Sequence, residues 1–190
     1  MAWSASHHVF DLDDYFDEQR STPRKLEFSA GRILLMAGGS PRHNYLAQRF
    51  QQLIANQLGM GPCAALSSDQ RIATADGLYT YADGSVFCGE MQMGREQTAT
   101  NPTVLLEVLS DRTRAYDRGE KLTRYQSIAS LQHVVLVEPD GMDVEVWSRT
   151  GDVWSRAVFT EGDQVVPLPA IGVRLEVRDL YAGADRLPAG

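Results

Sequence analysis

The run Pro102-Thr103-Val104-Leu105-Leu106-Glu107-Val108-Leu109-Ser110 carries one carboxylate inside an otherwise apolar segment. Apolar residues on both sides of Glu107 predict a strand buried on both faces, where an ionised acid costs several kcal/mol unless a cation meets it. Fourteen residues later stands Lys121, one of only two lysines among 18 basic residues. Arginine is a fixed charge on a rigid fork, whereas lysine is a point charge whose pKa moves on burial. Lys121 therefore has a chemical reading beside the plainer one of a solvated helix side chain. Alternation puts Leu105, Glu107 and Leu109 on one face of the strand and Val104, Leu106 and Val108 on the other. The chain advances about 10 Å from Glu107 to the strand end at Ser110, and a helix begun near Arg114 advances about 10 Å by Lys121. A helix packed back across the sheet brings the two level. A divalent cation in a hydrolytic site is held by one or two carboxylates with water and substrate phosphate, so a second acid is wanted. Asp83, in Tyr79-Thr80-Tyr81-Ala82-Asp83-Gly84-Ser85, interrupts an apolar strand and reads either as that acid or as a turn aspartate before Gly84.

The elements that must position these groups follow from hydrophobic period and punctuation. Asp11 to Phe16 opens a first helix with acids in its first turn. Lys25–Phe28 and Arg32–Met36 flank Ser29-Ala30-Gly31 as an N-terminal hairpin. His43 to Leu58 carries Leu46, Phe50, Leu53, Ile54 and Leu58 at helical spacing and ends at Gly59. Short strands are expected at Cys63–Leu66, Gln70–Thr74 and Leu78–Tyr81, the last leading into Val86–Cys88, with Asp76-Gly77 as a turn. After the Glu107 strand, the cap-rich loop Ser110–Thr113 precedes a helix from about Arg114 to Ile128, and His133–Val137 is a second apolar strand. Strand, helix and strand make a βαβ unit with parallel neighbours. Asp143–Ser148 and Val153–Phe159 form a C-terminal hairpin, and Val173–Val177 is a last strand or a helix entry. The chain reads as α/β, a mixed β-sheet flanked by helices.

At 190 residues the chain fits a single domain, 1–190, with an ordered core at about 10–182 and loose ends. Such a domain buries roughly 70% of the surface its unfolded chain exposes. Apolar content of 43% and charged content of 23% are ordinary globular values, and no apolar stretch is long enough to cross a membrane. The first eight residues lack signal-peptide blocks, and Cys63 and Cys88 read as free thiols; both fit a cytoplasmic protein. A net charge of −7 argues against indiscriminate binding to nucleic acid. The most basic stretch, Arg112, Arg114, Arg118, Lys121 and Arg124, follows Glu107 directly and reads as a phosphate contact or as a solvated face with i,i+4 pairs.

In order and spacing, several landmarks along the chain resemble the Uma-two restriction-endonuclease family, a branch of the PD-(D/E)xK nuclease superfamily. They are Leu26-Glu27-Phe28 before Gly31; Ser40-Pro41-Arg42-His43-Asn44 opening a helix; Tyr81-Ala82-Asp83; Leu106 to Ser110; Tyr116 to Lys121 with Tyr125; and Val135–Val137 before Pro139. The resemblance runs from about Leu12 to Gly183 and implies a restriction-endonuclease-like fold. It implies that Asp83 and Glu107 bind Mg²⁺ or Mn²⁺ and that Lys121 completes a catalytic trio. The lysine slot two residues after Glu107 is occupied by Leu109, and the family supplies its lysine from the following helix. The family's usual proline before the aspartate is here Ala82. Ser110, Asp117 and Tyr125 match the motif as supporting residues, Glu27 is a candidate for the rim, and His43 is a candidate phosphate contact at a helix start.

The implied activity is hydrolysis of DNA phosphodiester bonds, with no membrane partner. A restriction-type enzyme addresses two strands, which points to a homo-oligomer, a dimer. Two other readings stand beside it. One is a non-catalytic nuclease-fold protein that binds nucleic acid or a protein partner. The other is a carboxylate-pair hydrolase, such as a glycosidase, with Asp83 and Glu107 as acid and base, for which no sugar-stacking platform stands nearby.

Overall fold

The computed structural model describes residues 9–36 and 38–188. Asp11 caps helix α1 (Leu12–Ser21) in a reciprocal box: its carboxylate accepts from the Asp14 amide, and the Asp14 carboxylate accepts from the Asp11 amide. Strands β1 (Leu26–Ser29) and β2 (Arg32–Leu35) form the expected hairpin, with Ala30 and Gly31 at positive φ in its turn. Helix α2 (Pro41–Leu58) starts where the Ser40 hydroxyl accepts from the His43 amide, and stops at Gly59, whose φ of 55° few other residues adopt. Leu46, Phe50 and Ile54 make its buried stripe.

Next come β3 (Cys63–Ser67), β4 (Arg71–Ala73), β5 (Tyr79–Tyr81) and β6 (Gly84–Cys88). β5 and β6 are close in sequence yet belong to different sheets. A four-stranded sheet has the order β2-β1-β5-β4; after β5 the chain passes through Ala82 and Asp83 into a six-stranded sheet as β6. That larger sheet runs β10-β9-β8-β7-β6-β3, built with β7 (Val104–Val108), β8 (His133–Val137), β9 (Val144–Thr150) and β10 (Val153–Phe159). β7 and β8 pair in parallel, Val104 opposite His133 through Val108 opposite Val137, and every other pairing in the sheet is antiparallel. The sheet is mixed, as expected, and β9 and β10 are the C-terminal hairpin. The crossover from β7 to β8 is helical but not uniform: α3 (Arg114–Tyr116) runs into a π turn (Asp117–Lys121) and then α4 (Leu122–Gln126). β11 (Val165–Leu168) pairs with β12 (Val173–Glu176), which leads directly into α5 (Val177–Tyr181), so both readings of Val173–Val177 hold in part.

Alternation along β7 divides the core as the sequence predicts. Val104, Leu106 and Val108 pack with Leu46, Phe50 and Ile54 of α2 in one cluster, while Leu105 and Leu109 pack with Leu122 and Tyr125 in another. Glu107 therefore faces the π turn and α4.

Two expectations are corrected. Cys63 and Cys88 are not free thiols: they lie opposite each other at one end of the β3–β6 ladder and form a disulfide. Cysteine count alone misses this, because the pairing depends on strand register. Residues 183–188 are not a loose end, since Ala184 is buried and the Arg42 guanidinium donates to the Leu187 carbonyl at 2.8 Å. The readings on residues 1–8 lie outside the described residues. No described helix is long and apolar enough to cross a membrane.

Candidate active site

Glu107 projects from the middle of β7 and is only 4% exposed. The Lys121 ammonium lies 2.8 Å from its Oε1, and the Tyr125 hydroxyl donates to the same oxygen at 2.6 Å. Lys121, at the end of the π turn, is as buried as its partner. Asp117 Oδ1 stands 3.8 Å from the ammonium and Glu27 Oε2 stands 4.0 Å from it. A π turn widens one helical turn by an extra residue, and such turns occur often at functional sites. Here it brings Asp117 and Lys121 inward together.

Glu27 comes from β1, in the smaller sheet, and is buried. Its two oxygens accept from the Tyr116 and Thr80 hydroxyls, each at 2.5 Å. Its carboxyl group is thus held in place behind Lys121. The sequence signals neither Tyr116 nor Thr80 as its partner, because both contacts depend on how the two sheets meet the helix.

Asp83 sits where the chain changes sheets. The β6–β7 ladder ends at Gly84 opposite Leu106, so the Val108 amide lies beyond the paired stretch. Asp83 Oδ2 satisfies it at 2.8 Å, in place of a backbone carbonyl. The same oxygen is 3.1 Å from His43 Nε2. His43, a helix-entry residue and a candidate phosphate contact in the sequence, lies against this acid. Ser110 stays in the loop: its hydroxyl lies 2.9 Å from that of Thr113 and accepts from the Thr113 amide.

Burial pushes the Glu107 carboxyl up to about 8; Lys121 opposes the shift, while the charges of Asp83 and Asp117 add to it. Burial alone would lower Lys121, but Glu107, Tyr125, Asp117 and Glu27 outweigh it and hold the ammonium well above its usual range. Burial also raises Asp117, against Lys121 and with Asp83 and Glu27. For His43, burial lowers the pKa, yet the hydrogen bond and charge of Asp83, with Glu107, leave it raised. Around Lys121 and His43 are gathered Glu27, Asp83, Glu107 and Asp117, more carboxylate than cation.

Such a cluster suits a hard divalent ion. Among the described residues no group of three or more His, Cys, Asp or Glu is arranged to hold a metal. Mg²⁺ does not require one, since it keeps several waters and takes one or two carboxylates plus substrate phosphate. Asp83 and Glu107 fit that donor set. Three of the four arginines of the basic stretch are paired with acids elsewhere: Arg114 and Arg118 each lie 2.9 Å from Glu138 Oε1, and Arg124 lies 2.9 Å from Asp76 Oδ2.

The comparisons with known proteins agree with this architecture. The fold matches the crystal structure described as "a putative nuclease belonging to DUF820" from Anabaena variabilis, with a TM-score of 0.72 at 21% identity, covering 90% of this chain and 98% of that one. The mixed sheet with flanking helices is thus a nuclease-like fold. The family model Uma2, described as "Putative restriction endonuclease", matches residues 12–178, and the chain belongs to that family. Two relatives from Synechocystis sp. are similar over most of their length. "Uncharacterized protein slr1290" is 31% identical over 95% of both chains. "Uncharacterized protein sll1609" is 28% identical over 78% of this chain and 85% of its own.

Proposed function

We propose that this chain is a metal-dependent endonuclease that hydrolyses DNA phosphodiester bonds, with Asp83 and Glu107 as the acids that hold Mg²⁺ or Mn²⁺. The observation that carries the reading is the buried Lys121 ammonium, 2.8 Å from Glu107 inside a cluster with excess carboxylate. When bound, the ion supplies Lewis acidity and lowers the pKa of an attacking water. The protein's own residues do the rest. Lys121 is a cation at neutral pH, and its ammonium offsets negative charge that builds on the phosphate during attack. Tyr125 fixes Glu107 Oε1, so the carboxylate keeps one orientation. Glu27, clamped by Tyr116 and Thr80, steadies Lys121 from behind. His43 and the Val108 amide hold Asp83. A homodimer would present one such site to each strand of a duplex.

A second reading is a non-catalytic nuclease-fold protein that binds nucleic acid or a protein partner. It draws on Asp83 Oδ2, which is already engaged by both Val108 and His43, and on the net charge of −7. Two measurements separate the readings. Purified protein with Mn²⁺ should cut plasmid and linear duplex DNA, and Asp83→Ala, Glu107→Ala or Lys121→Ala should each reduce the rate by roughly a hundredfold or more. Cleavage that survives both Glu107→Ala and Lys121→Ala rejects the site. Calorimetric titration should show saturable Mn²⁺ uptake that Asp83→Ala abolishes; uptake indifferent to that change supports the second reading.

A further inference from the structure

β10 is the last strand on one side of the large sheet. Its seven residues pair with β9 in one unbroken register, Val153 opposite Thr150 through Phe159 opposite Val144. The Arg149 amide donates to the Gln132 carbonyl on the β8 side, so Arg149 and Trp154, which stand opposite each other, turn their backbone groups apart. The outward groups of β10 are therefore the amides and carbonyls of Trp154, Arg156 and Val158, and among the described residues none of them has a partner. Natural edge strands are blunted by lysine, proline, a bulge or a covering element. β10 has none of these, and it leaves Val153 68% and Val158 39% exposed.

The side chains of β10 select the strand that completes it. On the face that carries buried Glu145 the two strands of the hairpin alternate: Arg149 stands opposite Trp154, and Trp147 opposite Arg156. The Arg149 guanidinium lies 4.8 Å from the Trp154 ring centre, and Arg156 donates to Glu145 at 2.8 Å while half of its side chain stays exposed. Among the described residues, Trp154 thus has a cation across from it on β9 and nothing across from it on the open edge. A second β10 laid antiparallel along that edge has few registers to choose from. Centred on Arg156, it opposes two guanidiniums, which is unfavourable. Centred on Trp154, only Val153–Ser155 of each strand overlap, and centred on Ala157, Arg156 meets Val158. Centred on Ser155, it sets each Trp154 against Arg156 of the other copy as a hydrogen-bonded pair, and Val153 against Ala157. The alternation of tryptophan and arginine in one hairpin then continues into the next.

We infer that β10 binds a second copy of this chain, antiparallel about a two-fold axis at Ser155, joining two six-stranded sheets into one. The pairing needs none of the candidate catalytic residues, and its test does not depend on cleavage. In sedimentation equilibrium of the full chain at tens of micromolar, the wild-type protein should have twice the mass of one chain. Ser155 is exposed, so Ser155→Lys keeps the fold, yet it sets two ammonium groups face to face on the axis and should weaken association by about a hundredfold. Ser155→Cys reads the register. Two such positions on the axis lie about 4.5 Å apart at Cα, within reach of a disulfide, and Cys63 and Cys88 are already bonded to each other. In Ala157→Cys the two substituted positions lie about 13 Å apart along the strands. Mild oxidation should therefore link Ser155→Cys chains into covalent dimers at least about tenfold faster than Ala157→Cys chains. A wild-type protein that stays a single chain overturns the inference, as it would if the edge served a strand of another protein. So does a dimer that survives Ser155→Lys, or equal cross-linking at the two positions. Should Ser155→Lys fail to fold, the cross-linking comparison decides alone.

Discussion

Lys121 and Tyr125, four residues apart, converge on a single oxygen, Oε1 of Glu107, from 2.8 and 2.6 Å. One donor is charged and the other neutral, so the carboxylate is both oriented and partly compensated. Removing the charged donor alone strands Glu107, Asp117 and Glu27 without a cation. We expect Lys121→Met to destabilise the metal-free protein by about 3–5 kcal/mol in urea unfolding, the cost of breaking a buried pair. Adding Glu107→Gln should restore part of that loss; a double variant less stable than Lys121→Met contradicts the pairing.

The raised Glu107 pKa sets a direction for stability against pH. Its folded value, about 8, lies above its ordinary value, so the fold holds this proton more tightly than the unfolded chain does. The contribution is complete below about pH 4.5 and is lost as pH rises through about 8. Urea midpoints of metal-free protein should fall across that window, and Glu107→Gln should flatten the fall. Mn²⁺ must displace the same proton, so its apparent affinity should strengthen by up to about tenfold per pH unit below 8. Affinity independent of pH would exclude Glu107 as a ligand.

His133, at the start of β8, works in the opposite sense. Burial lowers its pKa; its Nδ1 lies 2.9 Å from the Ser148 hydroxyl, and its Nε2 accepts from the Ala170 amide. A proton on Nε2 would face that donor. The unfolded chain takes up this proton near pH 6.5 while the folded one resists, so stability should fall as pH drops below about 6.5. His133→Gln should remove this acid-side loss and leave the alkaline-side loss of Glu107 in place, as read from thermal midpoints across pH.

Gly84 and Gln51 should be coupled. A Cβ at Gly84 meets the Gln51 amide at 1.9 Å and Leu106 Cδ2 at 3.4 Å, so Gly84→Ala forces the amide aside. We expect Gly84→Ala to cost about 1–3 kcal/mol alone and markedly less in a Gln51→Ala background. Additive effects in the double-variant cycle would show that the amide does not rest there.

The disulfide closes a loop across a sequence separation of 25. Reduction should lower unfolding stability by roughly 2–4 kcal/mol, mainly by freeing the unfolded chain. Cys63→Ala with Cys88→Ala should reproduce the loss without reductant, and equal stability of oxidised and reduced protein would argue against the bridge.

What could be read from the residues alone follows how local each signal is. Glu107 stood out because one acid in an apolar run is anomalous within nine residues of sequence. Lys121 followed because strand and helix rise are fixed quantities, and level heights survive the π turn that interrupts the helix. Asp83 was visible as an interruption, although not as the point where the chain crosses between sheets. The clamp of Tyr116 and Thr80 on Glu27, the Cys63–Cys88 bridge and the partnerless amide of Gln51 each require knowing which elements meet. No spacing rule supplies that. The π turn has no composition of its own, since Asp117-Arg118-Gly119-Glu120-Lys121 reads equally well as ordinary helix.

Asp83 belongs to neither sheet, yet it is bordered by both: β5 ends two residues before it, and β6 begins one residue after it. Its carboxylate is consequently a seam stitch, anchored to β7 through Val108 and to α2 through His43. Both acids are thereby tied to one strand, Glu107 by its own backbone and Asp83 through the next residue's amide, whereas Glu27 reaches Lys121 from the smaller sheet.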